Sequence, residues 1–152
     1  HGTHLAAMEG DTETGQVTVR KYVAVDDVGV QVNPMIVEGQ VHGGLAQGIA
    51  QALYEGAFYD EDGLPLNANL STYLIPAAPD LPSFITDRTE TPSTTHPLGT
   101  KGVGEAGTIA STPAIINGVV DALRPLGVTD VAMPATPMTV WKAIQAAKGG
   151  QA

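Results

Sequence analysis

Residues 33–55 have the sequence NPMIVEGQVHGGLAQGIAQALYE, which predicts a long helix. Asn33 is a good N-cap, and Pro34 is tolerated at the first helical position because the N–H that proline lacks has no partner there. Apolar residues then recur every three or four positions, as on the buried face of a helix: Val41, Leu45, Ile49, Ala52 and Leu53. We therefore expect a helix from Asn33-Pro34 to about Glu55.

Four glycines interrupt this helix, at Gly39, Gly43, Gly44 and Gly48. Each interior glycine costs a helix about 0.5–1 kcal/mol relative to alanine, so close approach of another group must offset the loss. One interpretation is a flat, polar heterocycle against the glycines, with glutamine side chains such as Gln47 pairing with its ring atoms. The other is tight packing of a second helix through small residues. The sequence leaves both open.

Strands and further helices surround this segment. Residues Thr3–Glu9 and Gln16–Asp26 flank the turn-rich sequence GDTETG and predict a β-hairpin, with one buried face that carries Val17, Val19, Val23 and Val25. We expect irregular chain over Tyr59–Pro82 and a strand over Ser83–Thr91. Helices should run from Thr112-Pro113 to about Leu123 and from Thr136-Pro137 to about Ala147. The predicted fold is a single α+β domain over residues 1–152.

Composition excludes several classes of function. The net charge of −9 disfavours nucleic acid and anionic membranes as partners. The absence of cysteine excludes disulfides, thiolate zinc sites and Cys-ligated iron–sulfur clusters within these residues. No apolar run approaches the roughly 20 residues of a membrane span, so we expect a cytoplasmic protein without one. Because the chain begins at His1, without a methionine, we also expect it to be part of a longer protein.

A second candidate site is the sequence KGVGE, Lys101 to Glu105, at the end of a glycine-rich loop. Gly102 and Gly104 leave the space beside Glu105 open, and partial burial would raise the pKa of this carboxyl toward the range of a general base. The alternative is a carboxylate that a helix dipole favours, worth under about 1 kcal/mol at an exposed site. From the residues alone both remain open, as does a hydrolase with Glu105 as its base.

Other polar residues indicate less. The four histidines have no metal-ligand spacing, and no serine lies in a Gly-x-Ser-x-Gly elbow. Asp26-Asp27 is expected to be solvated or to cap the next turn.

Several motifs occur in an order that is typical of one family: VDDVG at 25–29, NP at 33–34, EGQVHGGLAQGI at 38–49, STY at 71–73 and KGVGE at 101–105. In these motifs the chain resembles the C-terminal molybdopterin-binding region of the large subunit in the xanthine oxidase and aldehyde oxidase family. Within that family it is similar to large chains of the aerobic carbon monoxide dehydrogenase type.

The resemblance implies roles for the residues singled out above. Glu105 matches the family's glutamate beside the metal and would be the catalytic base. The implied cofactor-binding residues are Gln47, Gly43, Gly44, Gly48, Lys101, Gly102, Val103 and Gly104. No residue of the chain would ligate the molybdenum, which is held through the dithiolene of a molybdopterin, in bacteria often the cytosine dinucleotide form.

The resemblance also implies partners. These are the upstream part of the large subunit, an iron–sulfur small subunit, an FAD-carrying medium subunit and a small-molecule substrate. The segment that distinguishes carbon monoxide from aldehyde or purine substrates lies upstream in this family, so the isolated chain should be inactive. The alternative, from a different class, is a stand-alone binding or interaction module without catalysis, in which the glycine-rich helix packs against a partner.

Overall fold

The computed structural model describes residues 1–149. Three strands and three helices follow each other as β1 (Gly2–Gly10), β2 (Val17–Asp27), α1 (Pro34–Leu53), β3 (Phe84–Thr89), α2 (Ala106–Leu123) and α3 (Pro137–Gly149). Single turns of 3-10 helix occur at Ala78–Asp80 and Arg124–Leu126. This arrangement confirms the predicted α+β class, with its hairpin, long helix, further strand and C-terminal helices. No helix within residues 1–149 is long and apolar enough to cross a membrane.

The sheet has β2 in its centre, antiparallel to β1 and parallel to β3. The hairpin turn forms because the Asp11 carboxylate accepts the Glu13 N–H at 2.8 Å and Gly15 adopts a φ of +75°. Parallel strands need a crossover connection, and α1 lies on the one from β2 to β3. Asn33 begins this helix as predicted, since its side chain accepts the Ile36 N–H at 3.3 Å.

A β-bulge changes which residues of β2 face the core. The register between β1 and β2 shifts between Ala7 and Met8, and an extra residue at such a point moves the following side chains to the opposite face. The residues buried on this face are Val17 and Val19 before the shift and Tyr22, Ala24 and Asp26 after it, and Asp27 at the end of the strand is buried as well. The expectation that Val23 and Val25 share the buried face was therefore wrong, because both are only half-buried.

The main core lies between the sheet and the helices. Its fully buried apolar side chains include Tyr22 of β2, Leu45 and Ile49 of α1, Ile115 and Val119 of α2 and Val140 and Ile144 of α3. The predicted apolar stripe of α1 is thereby confirmed, since Val41, Leu45, Ile49, Ala52 and Leu53 are all buried.

The predicted start of α2 was wrong. The helix begins at Ala106 instead of Thr112, so Pro113 lies inside it. An interior proline costs about 3 kcal/mol because it removes one hydrogen bond and crowds the preceding turn. Packing of the first turns against α1 offsets this cost, and the Thr112 hydroxyl donates to Gly48 O of α1 at 3.1 Å instead of capping its own helix.

Candidate functional site

The loop that leads to Glu105 is attached to the chain that follows β2. Val30 N–H donates to Gly99 O at 3.0 Å, and Lys101 N–H donates to Val28 O at 2.8 Å. The Lys101 ammonium also forms an ion pair with Asp27 at 2.9 Å. The loop therefore has a defined path, even though its sequence has no periodic pattern.

Glu105 occupies the N-cap position of α2, with its side chain exposed. Its carbonyl oxygen accepts the N–H groups of Thr108 and Ile109, both at 3.1 Å. The carboxylate itself makes no capping hydrogen bond. It therefore lies where a helix dipole favours its charge but is not used to complete the helix. Residues 1–149 leave this side chain exposed, so they do not provide the partial burial that was expected for it.

A cavity of about 520 Å³ opens beside Glu105. Its walls include the loop glycines Gly102 and Gly104 and the carboxylate-bearing residues Asp26 and Asp27 at the end of β2. A Cβ added at Gly102 would meet nothing within 4 Å, and one at Gly104 would meet only Gln40 Nε2, at 3.9 Å. The space beside Glu105 is thus open, as the two glycines predicted.

The four glycines of α1 divide into two pairs. A Cβ at Gly44 would lie 2.9 Å from Thr108 N, and one at Gly48 would lie 2.9 Å from Ser111 Cβ, so both glycines allow α2 to approach. This is the helix-packing interpretation. A Cβ at Gly39 or Gly43 would meet nothing within 4 Å. The cofactor contacts expected for Gly44 and Gly48 stay a prediction, one that their own contacts within residues 1–149 do not support.

An open surface of α1 lies next to the Glu105 loop. Gly43 and Gln47 are both exposed and lie four residues apart on one face of the helix. Gln40 is exposed as well and reaches toward Gly104 of the loop. Two amides and a bare backbone position therefore face open space, a combination that suits a planar polar ligand.

Two further loop residues differ in their surroundings. Val103 is half-buried and packs against the main core, whereas Lys101 is directed to Asp27. Among residues 1–149, no group of three or more His, Asp or Glu side chains is placed to hold a metal ion.

Asp26 and Asp27 are buried, which corrects the expectation of solvated side chains. The expected turn cap is present, because Gly29 N–H donates to Asp27 Oδ1 at 3.0 Å. The neighbouring Thr91, together with the hydrogen bonds from the Lys101 ammonium and from Gly29, holds the pKa of the Asp27 carboxyl well below its usual range. No short sequence pattern predicts these contacts to the Asp27 carboxylate, because Lys101 is distant from Asp27 in sequence.

Asp26 ends a buried chain of polar side chains that sequence reasoning missed. The His4 ring has Nδ1 2.9 Å from the Tyr22 hydroxyl oxygen and Nε2 3.3 Å from both carboxylate oxygens of Asp26. With the proton on Nε2, the ring donates to Asp26 and accepts from Tyr22, so one arrangement of protons satisfies all three groups. Burial, reinforced by the charge of Asp26, raises the pKa of Tyr22.

Comparison with known proteins identifies the family. Residues 1–82, more than half of the chain, match the molybdopterin cofactor-binding domain. The chain belongs to this family. It is 42% identical over 144 residues to the carbon monoxide dehydrogenase large chain of Hydrogenophaga pseudoflava, in an alignment that covers 95% of this chain and 18% of that relative. The resemblance to the molybdenum hydroxylases is thereby confirmed.

Solved structures agree with this placement. A Cu,Mo-CO dehydrogenase in its carbon monoxide reduced state superposes with a TM-score of 0.93 at 39% identity, over 97% of this chain and 18% of that one. Quinoline 2-oxidoreductase from Pseudomonas putida 86 gives a TM-score of 0.91 at 42% identity, over 95% and 18%. The chain therefore spans less than a fifth of the length of these relatives.

Proposed function

We propose that this chain is the C-terminal molybdopterin-binding region, residues 1–152, of the large subunit of a molybdenum hydroxylase, and that Glu105 is the catalytic base. The observation that carries the proposal is the exposed Glu105 carboxylate beside the open cavity that Gly102 and Gly104 line. Gln40 of α1 reaches toward Gly104, so the open surface of α1 that carries Gly43 and Gln47 lies next to this loop. The isolated chain is expected to be inactive, because it supplies only one wall of such a site.

The residues present fit a molybdopterin. A planar ring system needs bare backbone on one side, and the Cβ positions of Gly43 and Gly102 are free of neighbours within residues 1–149. It also needs donors and acceptors in its plane, which the exposed amide of Gln47 offers. Gly44 and Gly48 serve the site indirectly, since they let α2 lie close to α1 and so place Glu105 beside this surface.

The bound molybdenum cofactor would supply the oxidising centre and the oxygen transferred to the substrate. Glu105 would accept the proton released when the attacking oxygen becomes a nucleophile. Its carboxylate is suited to this task because no capping hydrogen bond engages it. Closure of the site by the rest of the subunit would exclude water from the space around the Glu105 carboxylate. Gln47, Gly43, Gly102, Val103 and Gly104 would hold and orient the pterin.

The proposal extends to the cofactor form and the partner subunits of the complete enzyme. The cofactor would be the cytosine dinucleotide form, and electrons would leave through iron–sulfur clusters and FAD on a small and a medium partner subunit, in the cytoplasm. The substrate is not selected here, because this region is similar to enzymes named for carbon monoxide and for quinoline at almost the same identity.

The test is Glu105→Gln in the full-length subunit, assembled with its partners. Glutamine keeps the size of the side chain and removes its basicity, so molybdenum and pterin contents should persist while turnover falls by about 10²–10⁴-fold. Glu61→Gln is the matched control and should keep full turnover, because Glu61 is an exposed carboxylate in a turn far in sequence from the loop. Normal turnover in a fully loaded Glu105→Gln enzyme would refute the assignment.

A further inference from the structure

Asp27 is a meeting point for donors from separate parts of the chain. Its side chain is only 1% exposed. It accepts from Lys101 Nζ at 2.9 Å, from Gly29 N–H at 3.0 Å and from the Thr89 hydroxyl at 3.4 Å. These donors lie in the Glu105 loop, in the turn after β2 and at the end of β3. A buried carboxylate is stable only when it is paired in this way.

Lys101 is the point at which the Glu105 loop is held. Its N–H donates to Val28 O at 2.8 Å while its side chain pairs with Asp27, so main chain and side chain are both fixed. Beyond it, Gly102 and Gly104 are exposed, and a Cβ at Gly102 would meet nothing within 4 Å. Val103 packs against the core. The path from Lys101 to Glu105 thus depends on the two contacts of Lys101, on the packing of Val103 and on one hydrogen bond from Ala106 N–H to Val103 O at 3.2 Å. Among these, the Asp27 pair is the only contact made by a charged side chain.

We propose that Asp27 and Lys101 form a positioning pair that sets the location of the Glu105 carboxylate. This inference rests on the proposed role of Glu105 as the base. It also gives Lys101 a different task from the cofactor contact expected from sequence, because its ammonium is engaged by a buried carboxylate. Displacement of a reacting group by about 1 Å can cost about 10²-fold in rate, so a loosened loop should lower turnover without removing the cofactor.

The experiment uses the full-length subunit with its partners and compares Lys101→Met, Lys101→Arg, Asp27→Asn and the double variant Asp27→Asn/Lys101→Met. Lys101→Met should lower kcat by about 10–10²-fold, with KM and molybdenum content close to those of the parent enzyme. Lys101→Arg keeps the cation and should retain most of kcat. The double variant should lose no more than the worse single variant, because both changes act through one loop.

Lys142→Met is the matched control. Lys142 is exposed on α3, far in sequence from the loop, and its loss should leave kcat unchanged. If Lys101→Met does not assemble, Lys101→Gln keeps a donor toward Asp27 without the charge and is expected to show the same fall in kcat.

Three results would overturn the inference. They are an unchanged kcat in Lys101→Met, a loss of molybdenum in proportion to the loss of turnover, and a normal kcat in Asp27→Asn when Lys101→Met is impaired. Loss of molybdenum would indicate that Lys101 contacts the cofactor. A normal kcat in Asp27→Asn would indicate that Lys101 acts independently of Asp27.

The Glu105→Gln background separates this inference from the proposed function. If Glu105 is the base, Lys101→Met should lower the residual rate of Glu105→Gln no further. Retained turnover in Glu105→Gln alone refutes the proposed function. A different outcome refutes only the positioning pair. In it, turnover collapses in Glu105→Gln, and the double variant Glu105→Gln/Lys101→Met is slower still.

Discussion

The adjacent residues Gly43 and Gly44 of α1 allow the same glycine-to-alanine change to be tested once in open space and once against α2. Gly43→Ala and Gly44→Ala replace neighbouring helical residues and should gain the same helix propensity, about 0.5–1 kcal/mol. At Gly43 the new Cβ meets nothing within 4 Å. At Gly44 it would lie 2.9 Å from Thr108 N and 3.0 Å from Gly107 Cα, both backbone atoms of α2.

The magnitude follows from these contacts. Backbone atoms cannot rotate away as a side chain can, so α2 must move from α1 to admit the methyl group. Forcing a methyl group into a well-packed core typically costs about 1–3 kcal/mol. Gly43→Ala should therefore raise the free energy of unfolding by about 0.5–1 kcal/mol, whereas Gly44→Ala should lie about 1–3 kcal/mol below Gly43→Ala and be less stable than the parent in most of that range.

The assay is urea unfolding of the 152-residue chain, followed by helical circular dichroism and by the fluorescence of Trp141, the only tryptophan. The two variants should differ in the free energy of unfolding in water, while the slope of that free energy against urea concentration should be the same for both. The reasoning fails if Gly44→Ala is as stable as Gly43→Ala, because the approach of α2 would then place no demand on that residue.

The remaining predictions concern the buried polar groups at the end of β2, and both use the same urea assay. His4→Leu should lower the free energy of unfolding by about 1–3 kcal/mol for each partner left unsatisfied, Tyr22 and Asp26, and the cost should shrink when Tyr22→Phe is already present. Simple additivity of the two changes would contradict a shared hydrogen-bond chain. The contribution of Asp27 to stability should be complete above its unfolded pKa of about 3.9 and fall as the pH drops below it, because the folded pKa is lowered. When the pH is lowered from about 5.5 to about 3, the free energy of unfolding should therefore fall less in Asp27→Asn than in the parent. An equal fall in the two proteins would contradict this assignment.

Elements with local signals were predictable from the sequence. The hairpin has a turn with Asp11 and Gly15, and α1 and α3 each begin at a proline after a polar residue. Their observed bounds lie close to the predicted ones because these signals act within a few residues. The start of α2 was not predictable in this way, since packing against Gly44 and Gly48 decides it and overrides the proline signal.

The candidate site was predictable in part for the same reason. The glycines around Glu105 indicated an open loop, and the structure has one. The burial of Asp26 depends on a bulge opposite Ala7 and Met8, whereas Asp27 is buried by its contacts with Lys101 and Gly29. Their partners, His4 and Lys101, lie in other segments, so spacing rules cannot find them.

Both ends of the Glu105 loop are fixed by contacts from outside it. On one side Asp27 holds Lys101, and on the other Gly44 and Gly48 admit α2, whose first residues follow Glu105 directly. The sequence KGVGE alone therefore does not determine where its carboxylate lies. A variant that separates α1 from α2 should displace Glu105 as effectively as one that breaks the Asp27 pair, so some losses of turnover should arise from residues that touch neither the cofactor nor the substrate.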